Sequence, residues 1–229
     1  MTYLLTRRNS THYYGVENLR TVLERPDGVG LLTVSNHVST IDSASLPSPV
    51  VSFRDMLNPH NCGFWNLARE DQTSETTLKA MIVATVKIMP VWRGGGVYQT
   101  AVTNFIARLR NGEWCHIFPE GRTYQDQLKS CWNSEGCRIR ASGRTGPPGR
   151  SLGPMKWGVG RVIYETAKRE GEKTNTFANG VNNGKLIILP FYHLNMEKVL
   201  PEAEDLSVIS IIPGKNVDVY CKVAFELVV

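Results

Sequence analysis

A histidine and an aspartate stand five positions apart in the segment Asn36-His37-Val38-Ser39-Thr40-Ile41-Asp42. The ordinary pKa of histidine suits a general base near neutral pH, and an aspartate bound to one ring nitrogen fixes the tautomer. Residues five apart on a regular helix point about 140° away from each other. The two side chains can therefore meet only if His37 lies in the turn before a helix, with Ser39 or Thr40 near its N-cap. A capping aspartate beside a solvated histidine is the alternative.

A second polar motif, Phe118-Pro119-Glu120-Gly121-Arg122, has proline and glycine where a tight turn needs them. Such a turn presents a carboxylate and a guanidinium to the same side. The carboxylate of Glu120 can accept hydrogen bonds from glycerol hydroxyls, and Arg122 can bind a phosphate with two donors. Arg93, before three glycines, is a second candidate for the phosphate, with a solvated surface arginine as its alternative.

Each motif follows a predicted strand. Gly30 to Ser35 and Trp114 to Phe118 are short apolar runs, and the second ends at Pro119. The carboxyl ends of strands are where α/β sheets hold their chemistry. Two later strands are predicted at Leu186 to Leu189, closed by Pro190, and around Val217 to Val223, where apolar residues alternate.

Apolar residues at helical spacing predict three helices. The first covers Thr76 to Met89 and is stopped by Pro90, and the third covers Lys156 to Glu170. The second carries Tyr98, Val102, Phe105 and Leu109 on one face and ends at Asn111-Gly112. The sum is one α/β domain, a mixed sheet flanked by helices, spanning residues 30–229 after an N-terminal segment 1–29. A basic loop at about 123–154 and a polar loop at about 173–184 are expected insertions.

The formal charge of +5 is concentrated in one segment. Seven Lys or Arg residues stand against two acids between Arg122 and Lys156, and the rest of the chain balances. The basicity is therefore not a nucleic-acid face spread over the fold, and no nucleic-acid partner is expected. Five scattered cysteines without a C-x-x-C pair disfavour a disulfide framework or a metal site, and no cofactor is predicted.

No apolar run reaches the roughly 20 residues that a bilayer span needs, so any membrane contact is expected to be peripheral. The Thr76 to Met89 helix and the basic segment 122–156 are candidates for that contact. A helix packed on the protein core is the alternative for the first of them.

Four blocks in order resemble the glycerolipid acyltransferase family. They are His37 to Asp42, Pro90-Val91-Trp92-Arg93-Gly94, Phe118 to Gly121 and Ile187-Ile188-Leu189-Pro190. The resemblance implies an acyltransferase with a family-like fold, in which His37 is the general base and Asp42 orients it. It also implies that a phosphoglyceride is bound by Arg93, Phe118, Pro119, Glu120, Gly121 and Arg122.

Further stretches, above all Lys156-Trp157-Gly158 before a predicted helix, resemble one branch of that family. That branch exchanges acyl chains between phospholipids and lysophospholipids without acyl-CoA and remodels cardiolipin. The resemblance implies a peripheral location at mitochondrial membranes, facing the intermembrane space. One alternative is an acyl-CoA-dependent 1-acylglycerol-3-phosphate or lysophospholipid acyltransferase with the same residues. Another is a membrane-binding module without catalysis.

Overall fold

A computed structural model of the protein describes residues 9–39, 41–42, 51–70, 81, 85–121, 123, 155–168, 186–199, 218–224 and 227–228. Its strands are β1 (Ser10–Tyr14), β2 (Gly30–Ser35), β3 (Asn66–Arg69), β4 (Ile88–Val91), β5 (Trp114–Ile117), β6 (Leu186–Leu194), β7 (Asp218–Val223) and β8 (Leu227–Val228). Its helices are α1 (Val16–Leu23), α2 (Phe53–Met56), α3 (Thr100–Arg110), α4 (Gly158–Ala167) and α5 (Met196–Val199).

The main sheet has the strand order β1-β7-β6-β2-β5, with β8 beside β6. β2 lies between two parallel neighbours, β5 and β6, whereas β6 runs antiparallel to β7 and β8. Strands with parallel neighbours on both sides are normally covered on both faces, which is why β2 is buried almost throughout rather than at alternate residues. The predicted mixed α/β sheet is confirmed.

A second, two-stranded sheet extends the edge at β5. β3 and β4 are parallel, and Trp65, just before β3, forms a parallel bridge to Cys115 in β5. β2, β5, β3 and β4 therefore run in the same direction. Their carboxyl ends form one continuous edge, which we call the catalytic edge.

Helices cover both faces of the main sheet. Successive residues of β2 point to opposite faces, and Leu32 packs with α3 and α4 while Leu31 packs with α1. The buried face of α3 carries Val102, Phe105, Ile106 and Leu109. Packing on both faces fixes the position of β2 in the domain and thus the position of the residues that follow it.

The strand predictions at β2 and β5 are confirmed, and α3 ends at Asn111-Gly112 as expected. Tyr98, however, precedes α3 and is exposed rather than on its buried face. Helix α4 is shorter than predicted and ends at Ala167, where Lys168 takes an extended conformation. The N-terminal segment 1–29 contributes β1 and α1 to the same sheet and core.

Two prolines lie inside strands rather than ending elements. The helix predicted to reach Met89 gives way to a turn at Lys87, whose φ is 58°, and Pro90 belongs to β4. Among the described strands β4 pairs only with β3, so it is an edge strand. Proline, which has no N–H to donate to a neighbouring strand, is tolerated there. Pro190 lies where β6 passes from β2 toward β7, and its carbonyl accepts a hydrogen bond from the Ala224 N–H at 2.9 Å.

Several predicted segments fall outside the described residues. These are the polar loop 173–184, the basic loop 123–154 apart from Thr123, and most of the Thr76 to Met89 helix. None of the helices in the described ranges combines the length and the apolar composition needed to cross a bilayer.

Candidate active site

His37 lies in the turn that follows β2, which is the condition that its spacing from Asp42 imposed. Its ring Nδ1 is 3.0 Å from Asp42 Oδ2. Its backbone N–H donates to Glu120 Oε1 at 3.1 Å, so a residue from the turn after β5 holds the histidine from the other side. The side chain of His37 is 20% exposed, which leaves one edge of the ring open to a substrate.

Asp42 is fully buried and holds the turn through a single carboxylate oxygen. Oδ2 accepts the backbone N–H groups of Val38 and Ser39, each at 2.8 Å, in addition to His37 Nδ1. The Asp42 N–H in turn donates to Ser39 O, so the aspartate caps the turn as an N3 side chain does. A carboxylate only accepts, so the ring proton resides on Nδ1 and Nε2 becomes the acceptor. Thr123 Oγ1 lies 3.5 Å from that Nε2.

The Phe118 to Gly121 motif forms the tight turn predicted for it. The Gly121 N–H donates to Phe118 O at 3.0 Å, and Gly121 has a φ of 66°. The Phe118 ring stacks on the His37 ring, with centroids 3.9 Å apart and planes 15° apart. Pro119 and Glu120 are buried. The motif therefore sets the orientation of His37 in addition to any contact with substrate.

His193 of β6 lies behind the aspartate and was not found from the sequence. It is fully buried, and its Nε2 is 2.9 Å from the Asn36 carbonyl and 3.7 Å from Asp42 Oδ2. The Asn36 side chain bonds the backbone of His193 twice, at 2.9 and 3.0 Å. Burial lowers the pKa of His193, although Asp42 and the Asn36 hydrogen bond act in the opposite direction. A neutral His193 that donates from Nε2 to Asn36 O locks the segment before His37.

His116 of β5 is a second buried histidine beneath the site. It hydrogen-bonds Thr33 Oγ1 at 2.9 Å and Ser35 Oγ at 3.3 Å, and its ring packs on Phe118 and Phe191. Burial, with smaller contributions from His37 and His193, lowers the pKa of His116 to about 3. His116 is therefore neutral near pH 7 and adds no positive charge beside the predicted base.

We expect this buried histidine to make the protein acid-sensitive. Folded His116 stays neutral down to about pH 3, whereas an unfolded histidine takes up a proton below about pH 6.5. Unfolding therefore takes up a proton in this window, and the free energy of unfolding falls as pH drops, by up to about 1.4 kcal/mol per pH unit. Urea unfolding between about pH 6.5 and about pH 5 measures the slope. His116→Gln should reduce it and His12→Ala, at an exposed site, should not; a flat wild-type profile contradicts the expectation.

The two arginines of the predicted phosphate site are placed differently. Arg93 is exposed and follows β4, so it lies on the catalytic edge. Three strand spacings separate β4 from β2, which is roughly 14 Å. Arg122 lies outside the described residues. Their roles in binding substrate remain predictions.

No group of three histidine, cysteine or acidic residues close enough to hold a metal ion occurs in the described ranges. Asn36 and His193 were missed because nothing local in the sequence shows that β6 neighbours β2. The late Pro190 block was the available signal, since His193 follows it by three residues. His116 stands between Trp114 and Phe118 in an apolar run, where it read as an ordinary strand residue.

Comparisons with known proteins converge on one family. A family model described as Acyltransferase matches residues 10–193. The chain is 30% identical to an N-acylphosphatidylethanolamine synthase of Arabidopsis thaliana over 85% of this chain and 55% of that protein. It is 31% identical to a tafazzin of Drosophila melanogaster over 86% of this chain and 41% of that protein. It is 28% identical to a Dictyostelium discoideum protein named taffazin over 80% of this chain and 50% of that protein. The chain thus spans about half the length of the curated relatives it matches.

A solved structure shares the fold. The 1-acyl-sn-glycerophosphate (LPA) acyltransferase PlsC from Thermotoga maritima superposes with a TM-score of 0.50 at 14% identity, covering 96% of this chain and 62% of that one. At this identity the likeness bears on the fold alone. The predicted acyltransferase-like fold is confirmed by it.

Proposed function

This chain belongs to the acyltransferase family, and from that premise we propose that it transfers an acyl chain between glycerophospholipids with His37 as general base. The resemblance drawn from the motif blocks, including the likeness to tafazzins, is confirmed by the comparisons. The observation that carries the mechanism is the 3.0 Å contact between His37 Nδ1 and Asp42 Oδ2 at the catalytic edge. It leaves Nε2 as the proton acceptor of the partly exposed ring.

The proposed reaction has two steps. His37 Nε2 removes the proton from a hydroxyl of a lysophospholipid, and the oxygen forms a bond to the ester carbonyl carbon of the donor. The ester C–O bond of the donor then breaks, and the proton on Nε2 passes to the leaving oxygen, which becomes the hydroxyl of a new lysophospholipid. Asp42 keeps the proton on Nδ1 and stabilises the imidazolium between the steps.

We further propose that donor and acceptor are a phospholipid and a lysophospholipid, with cardiolipin as the remodelled lipid. The similarity to two tafazzins and the Lys156-Trp157-Gly158 motif support this choice. The same similarity supports our proposal of a peripheral location at mitochondrial membranes. On this proposal Glu120, Arg93 and Arg122 act on the head group and glycerol of the substrate.

A second candidate is transfer to an amine rather than a hydroxyl. The Arabidopsis relative is named for the synthesis of N-acylphosphatidylethanolamine, and its match with this chain covers a larger share of that protein than the matches with the two tafazzins cover of theirs. A histidine base can take a proton from an amine as well as from a hydroxyl. The acceptor, not the catalytic pair, distinguishes the two candidates.

One assay with labelled acyl chains separates donor and acceptor. The protein is incubated with a labelled phospholipid or labelled acyl-CoA as donor, and with lysophospholipid or phosphatidylethanolamine as acceptor. We expect label to pass from phospholipid to lysophospholipid without CoA. Strict dependence on acyl-CoA would contradict the proposed donor, and product labelled only on the ethanolamine nitrogen would favour the second candidate.

A further inference from the structure

Several large apolar side chains, most of them aromatic, are unusually exposed beside the catalytic edge. Trp157 is 91% exposed, Tyr98 80%, Trp92 72% and Met155 67%. Both of the exposed tryptophans in the described ranges belong to this group. Large apolar side chains that cluster at the surface next to a site usually mark a binding surface.

Two segments bring these side chains together. The loop of Trp92 to Gln99 is closed on itself, since the Trp92 N–H donates to Gln99 Oε1 at 2.8 Å and Gln99 Nε2 donates to Gly96 O at 2.8 Å. The start of α4 packs on this loop. The Arg161 guanidinium lies 4.6 Å from the centre of the Tyr98 ring and bonds the Val97 carbonyl.

The same two segments carry cations. Arg93 is exposed within the loop, and the exposed Lys156 precedes Trp157. We call Trp92, Arg93, Tyr98, Met155, Lys156 and Trp157 the aromatic-basic surface. Tryptophan and tyrosine beside lysine and arginine is the composition that favours the interface of a bilayer, where amphipathic rings meet head groups.

The aromatic-basic surface is continuous with the predicted catalytic residues. The Lys156 N–H donates to Pro119 O at 2.7 Å, in the turn that holds His37. The Lys156 side chain lies over Gly121, because a methyl group added to Gly121 would come 2.8 Å from Lys156 Cε and 3.5 Å from its Nζ. A surface that touches lipid here would place that lipid beside the exposed edge of the His37 ring.

We propose that the aromatic-basic surface docks this protein on a bilayer that carries anionic phospholipids, with the catalytic edge turned toward the lipid. The charge of Arg93 and Lys156 selects anionic lipid, and the aromatic rings insert between head groups. The inference deepens the proposed function, since a lipid substrate is its premise. Binding to vesicles is measured without turnover, so the docking proposal and the proposed function can fail separately.

The test is sedimentation of the whole chain with vesicles of phosphatidylcholine, with and without phosphatidylglycerol. We expect wild type to bind the anionic vesicles more tightly and to lose that preference at high salt. Trp157→Ala should weaken binding about tenfold. Lys156→Gln should weaken it about fivefold on anionic vesicles only. His37→Ala should bind like wild type while losing turnover.

Leu57→Ala is the matched control, since Leu57 is a 68% exposed apolar residue on another part of the chain. Circular dichroism and thermal unfolding of each variant show whether it is folded. If Trp157→Ala and Leu57→Ala bind equally well, the proposal is overturned. It is also overturned if wild type ignores vesicles and instead forms a concentration-dependent dimer that Trp157→Ala disrupts, since a second copy would then be the occupant.

Discussion

Replacing His37 with alanine should lower acyl transfer by about 10³-fold and leave the protein folded. A positioned general base contributes about 10² to 10⁴ in rate, and here the ring is the group that the turn, Asp42 and Phe118 jointly orient. Its removal should cost about 1 to 3 kcal/mol of unfolding free energy, because Asp42 Oδ2 loses one of its three donors and keeps the two backbone N–H groups. Initial rates with labelled lysophospholipid and urea unfolding of the same preparation measure the two quantities.

The chain contains a matched control for this experiment. His12 and Asp218 form another histidine-aspartate pair, with Nε2 and Oδ1 3.6 Å apart, on exposed positions of β1 and β7. His12→Ala removes the same type of contact at exposed positions on a strand three places from β2 in the sheet, and it should leave the rate unchanged. Full activity in His37→Ala, or equal losses in both variants, would refute the assignment of the base.

Asp42→Asn should have the second largest effect and should act on both rate and stability. The amide cannot accept at both of its ends, so the tautomer of His37 is no longer fixed, and we expect a loss of about 10²-fold, which is smaller than the loss in His37→Ala. The three N–H donors now met by Oδ2 lose their charged acceptor, which should cost about 1.5 to 3 kcal/mol of unfolding free energy. Initial rates of acyl transfer and urea unfolding curves are both measured at a temperature below the melting temperature of the variant.

A double variant separates positioning from a merely structural effect. If Asp42 acts through His37, then His37→Ala with Asp42→Asn should be no slower than His37→Ala alone. Multiplicative losses in the double variant would mean that Asp42 contributes by another route. Asp218→Asn is the control for the substitution itself, because that carboxylate is exposed and lies outside the site.

Local patterns predicted the parts of the site that are near in sequence. Residues within one segment were enough to predict the strand before Asn36, the strand before Pro119 and the position of His37 in the turn before a helix. The structure agrees, with β2, with β5 and with the contact between His37 and Asp42. The contact between the two motifs was not predicted; it arises because β2 and β5 are parallel neighbours, whose carboxyl ends lie at the same edge.

What local patterns missed depends on neighbours far along the chain. The apolar spacing up to Met89 fits a helix, yet Met89 is buried in β4 opposite Leu67, a partner that no local period reveals. His193 reaches Asn36 only because β6 lies beside β2, 157 positions away. Likewise Pro190 lies inside β6 because β2 pairs with the strand through Phe191 and β7 pairs with it from Phe191 to Leu194.

The pairing of β1 with β7 has a consequence for biosynthesis. Ser10 lies opposite Asp218, so the first described strand leaves the ribosome more than 200 residues before its partner exists. During that interval Leu19, Val22 and Leu23 of α1 lack the Val223 contact that completes their core. Contacts of such long range form late and slowly, which leaves apolar surface exposed on the growing chain. The core around α1 can therefore close only after β7 has been synthesised.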